Sequence, residues 1–97
     1  MATYIILANF TEQGIRNVKD SPNRADAFRD MARKAGVTVK EHYWTLGAHD
    51  IVAIVDAPDD IAVTALGLST GTLGNVRTQT LRAFSKAEMA TILGKMV

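Results

Sequence analysis

Few residues of this chain could do chemistry, and two of them, His49 and Asp50, are adjacent in the stretch Thr45–Val55, just after Gly47. A carboxylate beside an imidazole raises its proton affinity and orients it, as general acid–base catalysis requires. Asp and His are also common at bends, where Asp accepts backbone N–H bonds and His tolerates unusual backbone geometry. The sequence therefore offers a catalytic pair and a hairpin turn as alternatives, and the turn is the commoner use of these residues.

A second histidine, His42, precedes this pair and is a further candidate for proton transfer. If Thr45 faces Asp50 across a hairpin, His42 lies about three residues from His49 at the tip, roughly 10 Å at about 3.3 Å per residue. That separation is too large for one metal ion, and no recognised ligand spacing is present. The sequence predicts neither a metal site nor a cofactor.

Composition argues against several other function classes. The formal charge is +1, from 11 Lys+Arg against 10 Asp+Glu, without a basic run, so no nucleic-acid partner is expected. The chain has no cysteine, hence no thiolate nucleophile, and its glycine-rich "STGTLGN" lacks the lysine of a phosphate loop. The N-terminal run is too short for a signal peptide or a membrane span. We expect a cytoplasmic protein without a membrane partner.

The elements that must position these residues follow from periodicity and from capping signals. Their order, β-α-β-β-α-β-α, predicts one α+β domain over residues 1–97 with the ferredoxin-like split βαβ arrangement. In it, a four-stranded antiparallel sheet carries two helices on one face. The predicted elements are a strand at 3–10, a helix from Ser21 to Gly36, a β-hairpin over 37–57, a helix from Pro58 to Gly71, a strand at 75–84 and a helix after Ser85.

This topology, with strand order 4-1-3-2, brings polar residues together at one end of the sheet. The end of the first strand, the hairpin tip and the start of the last strand meet there, and the first long helix begins beside them. We call this end the rim and predict it as the ligand-binding location. Its candidate residues are Asn9, Thr11, His49, Asp50, Asn75, Arg77 and Thr78.

The face of the sheet opposite the helices is also expected to be apolar, because the strand segment "IVAIV" has apolar residues on both of its sides. Soluble proteins rarely leave such a face exposed, so we expect it to be covered. A second subunit is the economical cover, so we expect a homo-oligomer. The assumed register predicts Thr38, Lys40, His42, Trp44, Ile51, Ala53 and Val55 on the open face, and Val39, Glu41, Tyr43, Val52 and Ile54 on the other. Trp44 would then anchor the subunit interface or line a pocket with His42, and the first role is favoured.

The runs "YWTLGAHDIVAIVDAPDD" and "LGNVRTQTLRAF", with "TEQGIRNVKDSPNRADAF", resemble the GYD-domain proteins over nearly the whole chain. The resemblance implies a bacterial protein with the fold and assembly of the dimeric α/β-barrel superfamily. One residue departs from the family pattern, because His49 stands where the signature tyrosine is usual. Tyrosine cannot replace histidine as a near-neutral base, which favours the turn. Superfamily members include enzymes and binding modules, so the fold does not decide the function.

Two functions follow as hypotheses. The first is a small homo-oligomeric module that binds a small ligand or a partner. The alternative is a cofactor-independent enzyme that uses His49, Asp50 and His42 for proton transfer on a small organic substrate. A subunit that only assembles is a third hypothesis.

Overall fold

The computed structural model describes all 97 residues and contains four strands and four helices. The predicted elements are all present, and a short helix lies in the loop after the first strand. The elements are β1 (Ala2–Phe10), α1 (Glu12–Arg16), a 3-10 turn (Val18–Asp20), α2 (Ser21–Lys34), β2 (Thr38–Trp44), β3 (Ile51–Ala57), α3 (Asp60–Thr72), β4 (Val76–Ala83) and α4 (Lys86–Gly94).

The strands form one antiparallel sheet in the order β2-β3-β1-β4, and α2 and α3 cover one of its faces. This confirms the ferredoxin-like α+β fold. Alternate residues of the central strands point into the layer beneath the helices, as the two-residue period of a strand requires. The core of this layer consists of Tyr4, Ile6, Ala32, Val37, Val39, Ala53, Val55, Ala57, Val63 and Leu66.

Five of the seven residues predicted on the open face lie instead on the face beneath the helices: His42, Trp44, Ile51, Ala53 and Val55. The predicted register holds at the tip, where the Thr45 N–H donates to the Asp50 carbonyl at 2.8 Å. It shifts by one residue between Val39 and Glu41, so that Val39 pairs with Val55 and both are buried. This bulge absorbs Lys40 and lets Val39 share a face with His42.

The uncovered face of the sheet is therefore formed by the other parity of the strands. We call this surface the open face; it consists of Ile5, Leu7, Tyr43, Val52, Ile54 and Leu81. The cross-strand neighbours Ile5 and Leu81 and the pair Leu7 and Val52 make it apolar over three strands. An apolar sheet face of this kind is typical of a protein-protein contact.

Helix α4 begins with a capping box, in which Ser85 and Glu88 each accept from the other's backbone N–H. The guanidinium of Arg82 also binds the Glu88 carboxylate at 2.9 Å, which ties the first turn to β4. The Ser85 N–H, followed by Arg82, lowers the pKa of Glu88 below its ordinary value of 4.5. Beyond this attachment the helix is exposed to solvent, so its apolar side chains do not belong to the core of this chain.

No helix combines the length and the apolar character needed to cross a lipid bilayer.

Candidate functional site

At the rim, the Asn9 side chain connects β1 to the tip of the hairpin. Its amide nitrogen donates to the Ala48 carbonyl at 2.7 Å, and its amide oxygen lies 2.9 Å from Nδ1 of His49. An amide oxygen only accepts, so the imidazole donates through Nδ1. His49 is thereby held by an asparagine and not by the neighbouring carboxylate.

Asp50 is occupied by the backbone of β1. Its Oδ2 accepts from the Phe10 N–H at 2.9 Å, and its own N–H donates to the Ala8 carbonyl at 2.9 Å. The only positive φ in the turn belongs to Gly47, at 108°, so the unusual backbone expected at His49 is absent. His49 and Asp50 therefore have separate partners, and their catalytic use remains a prediction.

The start of β4 closes the rim through Thr11 and Asn75. The Thr11 hydroxyl donates to the Gly74 carbonyl and accepts from the Gly14 N–H at 3.1 Å, which caps α1. The Thr11 N–H donates to the Asn75 carbonyl at 3.1 Å. These contacts hold α1 against the residues that immediately precede β4 and fix this side of the rim.

The remaining two predicted rim residues lie on opposite faces of the sheet. Arg77 pairs with Asn9 and is exposed on the uncovered side, whereas Thr78 pairs with Ala8 and faces the helices. The structure thus brings together Asn9, His49, Asp50, Thr11 and Asn75, with Arg77 and Thr78 diverging from one another.

Behind the rim, between the sheet and the two long helices, lies a cavity of about 120 Å³. Ten of its 16 lining residues are hydrophobic, so it is suited to an apolar group. The sequence predicted functional roles for three of the lining residues, Thr78, Asn75 and His42. It did not predict such a role for the lining residues Arg24 and Ser21. Other lining residues are Ile6, Ala8, Phe28, Met31, Ile51, Ala53 and Thr70.

His42 lies between this cavity and a second groove of about 260 Å³, which Arg29 and Trp44 also line. The imidazole packs edge-on against Trp44 at 4.9 Å between ring centroids, and Phe28 lies on its other side at 6.4 Å. Nδ1 of His42 is buried without a hydrogen-bond partner. Burial, and then the charge of Arg29, lowers the pKa of His42 below 6.5, so the neutral ring is favoured.

Trp44 also lies on the helix side of the sheet, so its predicted place on the open face is wrong. Its indole N–H donates to the buried Ser21 hydroxyl at 2.8 Å. Ser21, where the helix was predicted to begin, is the first residue of α2, after the N-cap Asp20. The tryptophan therefore fastens β2 to the start of α2 beside the groove.

His42 gives an expected pH dependence. In the unfolded chain the His42 imidazole has its ordinary pKa of 6.5, whereas in the folded chain its pKa is lower. Between these two pKa values the unfolded state therefore binds more protons than the folded state. The neutral His42 ring therefore contributes its full stabilisation of the folded state above pH 6.5. This contribution is lost as the pH falls toward the lowered pKa of the folded chain. Urea unfolding across this range should show the decline, and His42→Gln should remove that part of the slope. An unchanged slope in the variant would contradict the assignment.

The structure contains no group of three or more His, Asp or Glu side chains that could hold a metal ion.

Comparison with known proteins places this arrangement in a family. A protein from Thermus thermophilus, named glutamine synthetase and cystathionine beta-lyase binding protein, is 32% identical over 90 residues, which is 92% of this chain and 95% of that protein. A crystal structure of a Thermus thermophilus protein matches with a TM-score of 0.58 and 26% identity, covering 88% of this chain and 95% of the other. The GYD domain model matches residues 4–93, and the chain belongs to the GYD domain family.

Proposed function

We propose that this chain is a protein-binding module that acts as a homo-oligomer and whose partner is a metabolic enzyme. The name of the Thermus relative, a protein that binds two enzymes, supports partner binding. The observation that carries the proposal is the exposed apolar stripe of α4. Its members Met89, Ile92 and Leu93 are 46%, 37% and 53% exposed, and Met96, just beyond the end of the helix, is 70% exposed.

The construction of α4 suits docking into a partner's groove. The capping box and the Arg82–Glu88 ion pair hold the first turn, and the apolar stripe faces solvent. A helix that exposes apolar residues at i, i+3 and i+4 can dock in the hydrophobic groove of a partner. Methionine adapts to differently shaped surfaces, which suits a protein with more than one partner.

Self-association is proposed for a separate surface, the open face. Apolar side chains from three strands meet there without a covering layer. The chain is more extended than a compact domain of similar length. Its radius of gyration is 14.5 Å, with a longest extent of 49 Å, whereas a compact domain of about 100 residues has a radius near 13 Å.

The test uses purified glutamine synthetase and cystathionine beta-lyase from the same organism, each titrated with this protein by calorimetry. We expect binding of at least one enzyme, weakened about tenfold or more by the double variant Met89→Glu and Ile92→Glu, because buried apolar anchors dominate interfaces. Thr91→Glu, on the opposite side of α4, is the matched control and should bind like the unmodified chain. Absence of binding to both enzymes, or equal loss in both variants, would contradict the proposal.

A further inference from the structure

The cavity between the sheet and the helices α2 and α3 has the size and lining of a small-molecule site. Ile6, Ala8 and Ala53 form its floor, and Phe28 and Met31 project from α2. Its volume of about 120 Å³ is of the order of the roughly 150 Å³ apolar cavity that accommodates benzene. An occupant would therefore have an apolar body of about one ring.

One lining residue, Arg24, carries a charge that the chain does not neutralise. Its guanidinium donates to the Asn17 carbonyl at 3.0 Å and to the Gly14 carbonyl at 3.2 Å. None of the chain's ion pairs includes Arg24. The guanidinium also lies 6.0 Å from the centroid of the Phe10 ring. Two bonds use only part of its five N–H groups, and neutral carbonyls and an aromatic ring do not cancel its charge. The remaining donors match an anion, and a carboxylate has the complementary geometry.

A buried hydroxyl adds a second polar group to the lining. Ser21 is only 4% exposed and lines the same cavity. It accepts from the Trp44 indole, which leaves its own proton available to an acceptor. The cavity thus combines an apolar interior with donors at the side formed by α2.

We infer that the cavity binds a small monocarboxylic acid whose apolar body is the size of one ring. Its carboxylate contacts Arg24 and the Ser21 hydroxyl, and its body rests on Ile6 and Ala53. The inference is independent of partner binding through α4, because none of the apolar stripe residues lines the cavity.

The experiment compares benzoate with its uncharged analogue benzamide by NMR titration of the labelled, full-length protein. We expect saturable binding of benzoate with shifts centred on Ala8 and Ala53, about tenfold tighter than benzamide, because hydrogen bonds to charged groups are the stronger ones. Arg24→Gln should lower the affinity for benzoate to that for benzamide and leave benzamide unchanged. A variant that merely distorted the cavity would lose both ligands.

A second substitution tests the location. Ala25→Leu adds volume at the cavity from a half-buried helical position, where leucine is a good helix former, and should weaken both ligands. Ala65→Leu, at an exposed position of α3, is the control and should weaken neither. Equal affinity for benzoate and benzamide would overturn the carboxylate assignment. Absence of saturable shifts at the cavity, or full benzoate binding by Ala25→Leu, would overturn the site.

Discussion

Replacing Gly14 with alanine is expected to destabilise the fold by about 3 kcal/mol, the upper range for forced overpacking. A Cβ at this position would lie 1.9 Å from the carbonyl oxygen and 2.9 Å from the carbonyl carbon of Asn75. Both are backbone atoms, so no rotation of a side chain relieves the contact. The same oxygen accepts the Thr11 N–H, so moving it would break the link between α1 and β4.

Gly71→Ala is the matched control, because nothing lies within 4 Å of its added Cβ and the residue is within α3. That variant should be more stable by about 0.5–1 kcal/mol, the usual gain of alanine over glycine within a helix. Urea unfolding of both variants, monitored by circular dichroism, measures the difference. Equal stability of the two variants would contradict the close contact between Gly14 of α1 and the Asn75 carbonyl.

The sequence predicted the elements well where local chemistry decides their ends. The capping box of Ser85 and Glu88 opens α4, and Asp59 caps α3 by accepting the Ala62 N–H at 2.9 Å. These signals involve residues three positions apart, so no knowledge of the tertiary structure is needed. The strand order followed because the ferredoxin-like topology permits few alternatives.

The faces of the hairpin were not predictable, because the decisive feature is a single bulged residue. β3 is apolar at both parities, so hydrophobicity cannot choose its buried side. The bulge at Lys40 then places Val39 and His42 on the same side, although their spacing in a regular strand would separate them. Charged Lys40 carries no pattern by which the bulge could be recognised.

The candidate site was only partly predictable for a related reason. Topology sufficed to bring Asn9, His49 and Asp50 to one rim. The contacts depend on side-chain direction, however, and the adjacent His49 and Asp50 reach different partners. The cavity depends on the space left between the side chains of the sheet and those of the helices, and Arg24 in α2 gave no local signal. A charged residue in an otherwise ordinary helix is usually solvated.

Replacing Ile54 with glutamate is expected to convert the proposed homo-oligomer into a monomer. Ile54 lies within the open face, between Ile5 of β1 and Glu41 of β2. In an isolated chain the new carboxylate would remain partly hydrated, so the fold should survive. In an interface it would be an unpaired buried charge, which costs several kcal/mol. We therefore expect the dissociation constant of the oligomer to rise about 100-fold or more.

Sedimentation equilibrium measures this directly. The unmodified chain should sediment at a multiple of 10.5 kDa and the variant at 10.5 kDa. Ile54→Lys separates the cost of burying a charge from repulsion by Glu41, because lysine can pair with Glu41 whereas glutamate is repelled by it. If burial of a charge is the cause, the oligomer should dissociate in both variants. Thr64→Glu, exposed on α3 on the other side of the sheet, should keep the oligomer. If Ile54→Glu keeps the mass of the unmodified chain, or if the unmodified chain is itself a monomer, the open face is not the surface of self-association.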